Sequence, residues 1–305
     1  MNDLDIEIAV LIPCRDEQAT IQEVVKGFQI ALPEASVYVY DNGSKDDTAS
    51  EALKAGAILG FEPLQGKGRV VRRMFAEIEA DVYVIVDGDG TYSPEEAPLL
   101  VKTLVDGAFD MVVGTREGIT QKTARRGHAF GNKIFNRLYR VLFGSGFSDI
   151  FTGYRVFSRR LVKSFPSVST GFEIETEMCV HASQLDLPVA ESPISYGSRP
   201  EGSNSKLRTI TDGFRLLRSM LVLVKENRPL FMFGSLATVS LLSSMVLVIP
   251  LAVTYAQTGL VPRLPTAVLA TGLAVLGLLF LASGLILDSI AKARIEAKRI
   301  AYLQT

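Results

Sequence analysis

The sequence predicts a doubly wound α/β domain, then an amphipathic helix in a membrane interface, then two transmembrane α-helices. Three observations predict that order. Strand-type and helix-type signals alternate through the first third of the chain, as they do in sheets covered by helices on both faces. Polar residues gather just after the strand signals, where ligands bind in such folds. Charge is unevenly shared: residues 1–228 hold 27 basic and 31 acidic side chains, whereas residues 229–305 hold five and two. With 21% charged residues and a mean hydropathy of +0.24, the 305-residue chain is neither a uniform soluble domain nor disordered.

The elements follow one another closely. Ile6–Pro13 is an apolar run suited to a buried parallel strand, and Thr20 with Glu23 has the spacing of a capping box opening a helix through about Ala31. Val37–Tyr40 is a second strand. A helix over Thr48 to Lys54 stops at Gly56, and Ala57–Phe61 is a short third strand. A helix from about Arg69 to Ala80 precedes the strand Val82–Val86. Ser93, Pro94 and Glu96 supply an N-cap, a first-turn proline and an N3 carboxylate for a helix ending near Gly107, and Met111–Gly114 is a fifth strand.

No charge occurs between Pro229 and Val261 or between Leu264 and Leu287, and each run exceeds the roughly 20 residues needed to cross hydrocarbon. Gly259, Pro262 and Pro265 mark a turn between them. Lys225 and Arg228 before the first run, and Lys292, Arg294, Lys298 and Arg299 after the second, outnumber Arg263 in the connection, which predicts cytoplasmic termini. From Lys206 to Arg228, Leu207, Ile210, Phe214, Leu217 and Leu221 alternate with Arg208, Arg215 and Arg218 at helical spacing, as in an interfacial helix. The expected organisation is a cytoplasmic domain over 1–205, an interface helix over 206–228, membrane helices over 229–256 and 264–287, and a basic tail over 288–305.

Cys14 and Cys179 cannot build a disulfide framework, and His128 and His181 are too few for a His-rich zinc site. The acidic start, Met1 to Asp5, lacks the basic region of a secretory signal.

Asp87-Gly88-Asp89, directly after a strand, carries the strongest local signal. Carboxylates at i and i+2 of a tight turn can face one hard cation, Mg²⁺ or Mn²⁺, whose shell diphosphate oxygens complete. Tyr92 and Pro98 stand where a calcium loop needs other residues. Gly66-Lys67-Gly68 can bring backbone N–H groups and one ammonium to a phosphate at a helix N-terminus. It is neither a Walker motif, because Gly68 replaces Ser or Thr, nor a dinucleotide fingerprint, because Val71 replaces the third Gly.

Charge is also split within the domain. Residues 1–114 have a net charge of −12, while residues 115–163 carry 11 basic and two acidic side chains, a net of +9. Beside two membrane spans, the block of Arg116, Lys122, Arg125, Arg126, Lys133, Arg137 and Arg140 points to lipid headgroups or a lipid phosphate rather than nucleic acid, with Lys133 and Arg140 in particular reading as a solvated basic face.

Three motifs, Ile12-Pro13-Cys14-Arg15-Asp16-Glu17, Tyr40-Asp41-Asn42-Gly43-Ser44-Lys45-Asp46-Asp47-Thr48 and Asp87-Gly88-Asp89-Gly90-Thr91-Tyr92, resemble those of the inverting GT-A glycosyltransferases of the second family. Val113-Gly114-Thr115-Arg116, Asp149 to Arg155, Gly171 to Glu175 and Arg199 to Lys206 resemble the narrower polyprenyl-phosphate branch, which is similar to dolichol-phosphate-mannose synthase. The resemblance covers about Ile6 to Arg218. It implies that Pro13, Arg15, Glu17 and Asp41 hold the base and ribose, and that Asp87 and Asp89 hold the metal and diphosphate; Gly88 and, from its own glycine-flanked loop, Lys67 are further nucleotide-sugar contacts. It further implies that Arg116, Arg199 and Lys206 engage donor and acceptor phosphates, with Arg125 and Arg126 at the membrane side.

The implied reaction moves a sugar from a nucleoside-diphosphate sugar, UDP-linked before GDP-linked, to polyprenyl monophosphate. An oligomeric assembly is compatible with it. Asp16 and Asn42 depart from the family's usual Asn and Asp, and Thr91 stands where some members have a metal-contacting Gln. A processive polysaccharide synthase would need a Gln-x-x-Arg-Trp platform, and the chain has no Trp. A transferase acting on a hydroxyl of a lipid-linked oligosaccharide, or a nonenzymatic nucleotide-sugar-binding adaptor, is the other reading of these residues.

Overall fold

A computed structural model of the chain describes residues 6–117, 136–137, 139–140, 146–171, 173–197, 221–222 and 224–305. Arg125, Arg126, Arg199, Lys206 and most of the expected interface helix lie outside the described residues. Two compact units emerge, one built on Met1–Leu216 with Lys298–Thr305, the other on Leu217–Ala297.

The first unit contains β1 (Ile8–Cys14), α1 (Ile21–Ala31), β2 (Ser36–Asp41), α2 (Thr48–Lys54), β3 (Ile58–Phe61), α3 (Lys67–Glu77), β4 (Val82–Ile85), α4 (Ala97–Asp106), β5 (Met111–Glu117), β6 (Arg155–Ser158), α5 (Arg159–Ser164), α6 (Ile174–Leu185) and β7 (Val189–Ser195). They form a mixed seven-stranded sheet in the order β3-β2-β1-β4-β6-β5-β7. The first five strands and the helices between them fall where the apolar runs and turn residues put them. The sheet differs from a purely doubly wound one because β6 is inserted antiparallel between β4 and β5, with Val84 opposite Val156 and Val112 opposite Val156. Its four residues follow a Gly-containing loop and are too short to announce a strand by periodicity. Because only β6 runs backwards, the carboxyl ends of β1, β2, β4 and β5 share one edge.

The core lies between sheet and helices. Val10, Ile12, Val39, Val84, Val112 and Val156 meet Phe28, Leu100 and Leu104, each buried to 4% exposure or less. Each such side chain contributes about 1.5–3 kcal/mol by leaving water. Two expected helix caps form differently. Thr20 makes no capping bond; its hydroxyl donates instead to the carbonyls of Gly88 (2.6 Å) and Glu17 (3.2 Å), which ties the start of α1 to the Asp87–Asp89 turn. Ser93 likewise leaves its helix uncapped, the segment Pro94–Glu96 is a 3₁₀ turn, and the Glu96 carboxylate accepts from Ser195 N at 2.8 Å.

The second unit is dominated by α7 (Pro229–Thr258) and α8 (Leu264–Leu303), whose 30 and 40 residues are long and apolar enough to cross a membrane. The connection is shorter than the turn residues suggested, because α7 runs on to Thr258 and ends on Gly259 with φ 69°. Only 17% of the apolar stretch of each is buried, unlike the mostly buried core helix of a soluble protein. Their inward faces are small: Ala237, Ser240 and Ser244 on α7, Ala270, Gly277 and Gly284 on α8. Ser240 donates to Leu273 O at 2.8 Å and Ser244 to Ala270 O at 2.7 Å. Large apolar side chains such as Phe231, Val239, Met245 and Leu279 face outward, the reverse of a soluble core. α8 continues through the segment expected as a basic tail. Within the first unit, Tyr302 donates to Asp110 and Lys298 to Gln184, both at 2.8 Å.

Candidate active site

The loops after β1 and β2 are knitted together by their own polar residues. Asp16, at φ 48°, donates its N–H to Ser44 Oγ at 2.9 Å and accepts from Lys45 N at 2.7 Å; Glu17 N donates to Thr48 Oγ1 at 2.8 Å. Asp41, buried, accepts from Ser44 N and from the Ser44 hydroxyl, so its carboxylate shapes the turn beside it. Arg15 lies 3.6 Å from Asp16, and Pro13 sits in β1 opposite Tyr40. The four residues expected around the base and ribose thus occupy neighbouring strand ends.

Asn42 explains its own departure from the family pattern. Its amide nitrogen donates to Glu62 O and Leu64 O, both at 2.9 Å, while its oxygen accepts from Gly66 N at 2.7 Å. An aspartate could not donate the first two bonds. Asn42 therefore carries β2's end into the start of α3, which begins at Lys67, two residues before the expected Arg69. Gly66 adopts φ 139°, closed to residues with a Cβ, and a Cβ on Gly66 or Gly68 would meet the carbonyl of Thr170 or Ser169. The glycines serve close backbone packing. The ammonium between them, expected at a phosphate, bridges Asp87 and Glu175 at 2.5 Å each.

The Asp87–Asp89 turn is held from three sides. A Cβ at Gly88 would collide with Cys14 Sγ, one at Gly153 would collide with the Asp87 carboxylate, and Thr91 donates to Asp89 Oδ1 from both N (3.1 Å) and Oγ1 (2.6 Å). Thr91 thus orients a carboxylate here. Asp87 is the more open of the pair, its side chain 31% exposed, whereas Asp89 is buried. Two aspartates on one turn suit Mg²⁺ or Mn²⁺, which takes much of its shell from phosphate and water; they do not suit a zinc centre, and no cluster of three or more His, Cys, Asp or Glu adds to them among the described residues.

Arg116 stands at the end of β5 in a bidentate pair with Asp149, Nε–Oδ2 2.7 Å and Nη2–Oδ1 2.9 Å, with its guanidinium 5.3 Å from the Tyr196 ring centre. Burial alone would raise the Asp149 carboxyl, but the two bonds from Arg116 outweigh it and hold that group below the usual range. Tyr92 links this pair to the aspartate turn: its hydroxyl accepts from Gly153 N at 2.8 Å and its ring packs 5.2 Å from that of Tyr196.

Arg155, fully buried, was missed as a positioning residue. It donates to the carbonyls of Thr152 (3.0 Å), Glu175 (2.9 Å) and Ile150 (2.9 Å), so one cation fixes the Asp149–Gly153 loop to α6. Glu177 was missed too; its two oxygens accept from Val168 N (2.9 Å) and Ser169 N (2.8 Å), setting the loop against which Gly66 and Gly68 pack. The Gly-Tyr-Arg and Glu-x-Glu-x-Glu spacings were visible, but nothing local says that such charges turn inward.

Comparison with known proteins decides what this arrangement belongs to. The family model described as Glycosyl transferase family 2 matches residues 9–165, a span that contains every strand end above except that of β7. The chain belongs to glycosyl transferase family 2. Within that family it is 35% identical over 235 residues to Glycosyltransferase AglJ of Haloferax volcanii, covering 76% of this chain and 77% of the relative. It is 28% identical to a Dolichyl-phosphate hexose transferase of the same organism, covering 73% and 96%. Among solved structures, glucosyl-3-phosphoglycerate synthase from Mycobacterium tuberculosis, in complex with Mn²⁺, UDP and glucosyl-3-phosphoglycerate, superposes with a TM-score of 0.59 at 21% identity, over 71% of this chain and 79% of that one. The fold of this family 2 glycosyltransferase is therefore of the GT-A type, followed by two helices of membrane-spanning length.

Proposed function

We propose that this glycosyltransferase moves a hexose from a nucleoside-diphosphate sugar, UDP-linked before GDP-linked, to polyprenyl monophosphate with inversion at the anomeric carbon. The observation that carries it is the coexistence of the Asp87–Asp89 turn, the anchored Arg116 cation and two membrane-length apolar helices in one chain. The similarity to a Dolichyl-phosphate hexose transferase supports the lipid acceptor.

Asp87 and Asp89 would hold Mg²⁺ or Mn²⁺ against the diphosphate, and the chemistry supplied by that ion is neutralisation of charge on the departing nucleoside diphosphate. The chain's own residues do the rest. Pro13, Arg15, Glu17 and Asp41 line the nucleotide end, and Arg116, fixed by Asp149, presents its remaining N–H groups to an anion without reorganising. Arg125, Arg126, Arg199 and Lys206 complete the acceptor-phosphate side. No general base is required, because a phosphate monoester with a second pKa near ~6 is already deprotonated at neutral pH. Asp149, Glu173 and Glu175 are the carboxylates a base hypothesis would choose, and of these Asp149 and Glu175 are engaged with Arg116 and Lys67. Basic residues flanking the helices favour cytoplasmic termini and a catalytic domain on the inner leaflet.

The test is incubation of membranes holding the chain with a panel of labelled nucleotide sugars and undecaprenyl phosphate, followed by lipid extraction. Label in a mild-acid-labile lipid monophosphate is the expected product; label found only in oligosaccharide would move the acceptor to a hydroxyl.

A further inference from the structure

Lys67 is caught between two carboxylates of unlike position. Its ammonium lies 2.5 Å from Asp87 Oδ1 and 2.5 Å from Glu175 Oε1, and the side-chain exposures are 31% for Asp87, 10% for Lys67 and 9% for Glu175. The open end of this triad is a carboxylate of the Asp87–Asp89 turn; the closed end is on α6. Glu175 Oε2 is buried without a hydrogen-bond partner, so the inner carboxylate has an unused acceptor.

A cation pairing Asp87 competes directly with a divalent ion for the same oxygens. In a buried site an ammonium cannot simply be released, because an unpaired charge there is costly. It needs a second acceptor, and Glu175, already paired with it and holding an unused oxygen, provides one.

We propose that Glu175 is a positioning residue that receives the Lys67 ammonium when Asp87 turns to a divalent ion, so that the triad exchanges one cation for another at Asp87 without leaving a charge unpaired. The proposal rests on the reading of Asp87 as a ligand for the ion that accompanies the nucleoside diphosphate. Lys67, on this view, acts through Asp87 and does not itself need to reach a phosphate.

The full-length chain in detergent is titrated with MnCl₂ in the presence of UDP, and free Mn²⁺ is read from its electron paramagnetic resonance signal. Glu175→Gln should weaken Mn²⁺ binding about 10- to 100-fold, because Lys67 then leans on Asp87. The double variant Lys67→Met with Glu175→Gln should regain most of that loss, since it removes the competing cation together with its acceptor. A merely structural role predicts the opposite order, the double variant being no better than the single. Unchanged Mn²⁺ affinity in Glu175→Gln, or a double variant at or below it, overturns the proposal. Absence of Mn²⁺ binding by the wild type with UDP overturns it together with the metal assignment, whereas wild-type binding with an unaffected Glu175→Gln overturns the exchange alone. Circular dichroism accompanies each variant. If Glu175→Gln does not fold, Glu175→Asp keeps the charge but draws the acceptor back from Lys67 and should weaken Mn²⁺ binding in the same direction; wild-type affinity there also overturns it.

Discussion

At the scale of single residues, the aspartate turn concentrates the most chemistry in the fewest atoms. Asp89, oriented twice by Thr91, is on the proposed reading a ligand of the ion that accompanies the diphosphate. Asp89→Ala should lower transfer by at least about 10²-fold, the scale of losing one preorganised electrostatic contact, and a chelator should do the same to the wild type. Full activity in excess chelator would remove the metal from the account. Asn42 makes a second prediction. Asn42→Asp loses its donors to the buried Glu62 carbonyl and the part-buried Leu64 carbonyl and should cost about 1–3 kcal/mol of stability while raising the nucleotide-sugar KM, measured by unfolding and by steady-state kinetics.

His181 supplies a third, with its sign fixed by burial. Burial, helped by nearby Lys298, pushes it down to about 3, whereas an unfolded chain protonates near the ordinary 6.5. The unfolded state binds more protons between these values, so stability present above pH 6.5 is lost as pH falls toward 3, by up to about 1.4 kcal/mol per unit. His181→Phe, next to Phe165 at 5.3 Å, should flatten the unfolding midpoint between about pH 7 and pH 5; an unchanged slope would place the effect elsewhere.

At the scale of elements, what was legible followed from period and punctuation. β1 to β5 and the helices between them could be placed because apolar runs ended at Gly, Pro or a charged cluster, and the Asp87–Asp89 turn could be placed because it closes such a run. β6 and β7 were not legible. β6 has four residues, and β7 alternates poorly around Pro193, so neither carries a clear period. The caps expected at Thr20 and Ser93 had the right spacing but the wrong partner, since Gly88 O and the strand edge at Ser195 compete for those groups through contacts remote in sequence. Asp149 could be foreseen as the partner of a cation because it lies beside the basic block, whereas Lys67 sits in an acidic stretch between two glycines and reads as a phosphate contact, not as a partner of Asp87 and Glu175.

The α7–α8 seam permits an elemental test. Gly277 faces Leu241, whose Cγ would lie 2.7 Å from an added Cβ. Gly277→Leu should disrupt the helix pair and lower its resistance to denaturing detergent, while Ser244→Ala should cost only about 0.6 kcal/mol, the usual worth of one interhelical bond in a membrane.

At the scale of the whole molecule, charge, hydropathy and topology tell one story. An acidic stretch over residues 1–114, a basic block after it and two uncharged apolar runs suit the proposed enzyme, whose donor arrives from water and whose acceptor arrives from the bilayer. The proposed orientation places Gly259 across the membrane from both termini. A cysteine introduced there should react with an impermeant maleimide added from outside the cell, and labelling only after lysis would reverse the topology.

The central claim, sugar transfer to a lipid monophosphate, is tested most directly by structure determination of the product made by purified chain, undecaprenyl phosphate and the nucleotide sugar it accepts. The account predicts a sugar joined to the lipid through one phosphate, with the anomeric configuration opposite to that of the donor, formed in a single displacement. A retained anomer, a lipid diphosphate in the product, or a glycosylated enzyme intermediate would contradict it.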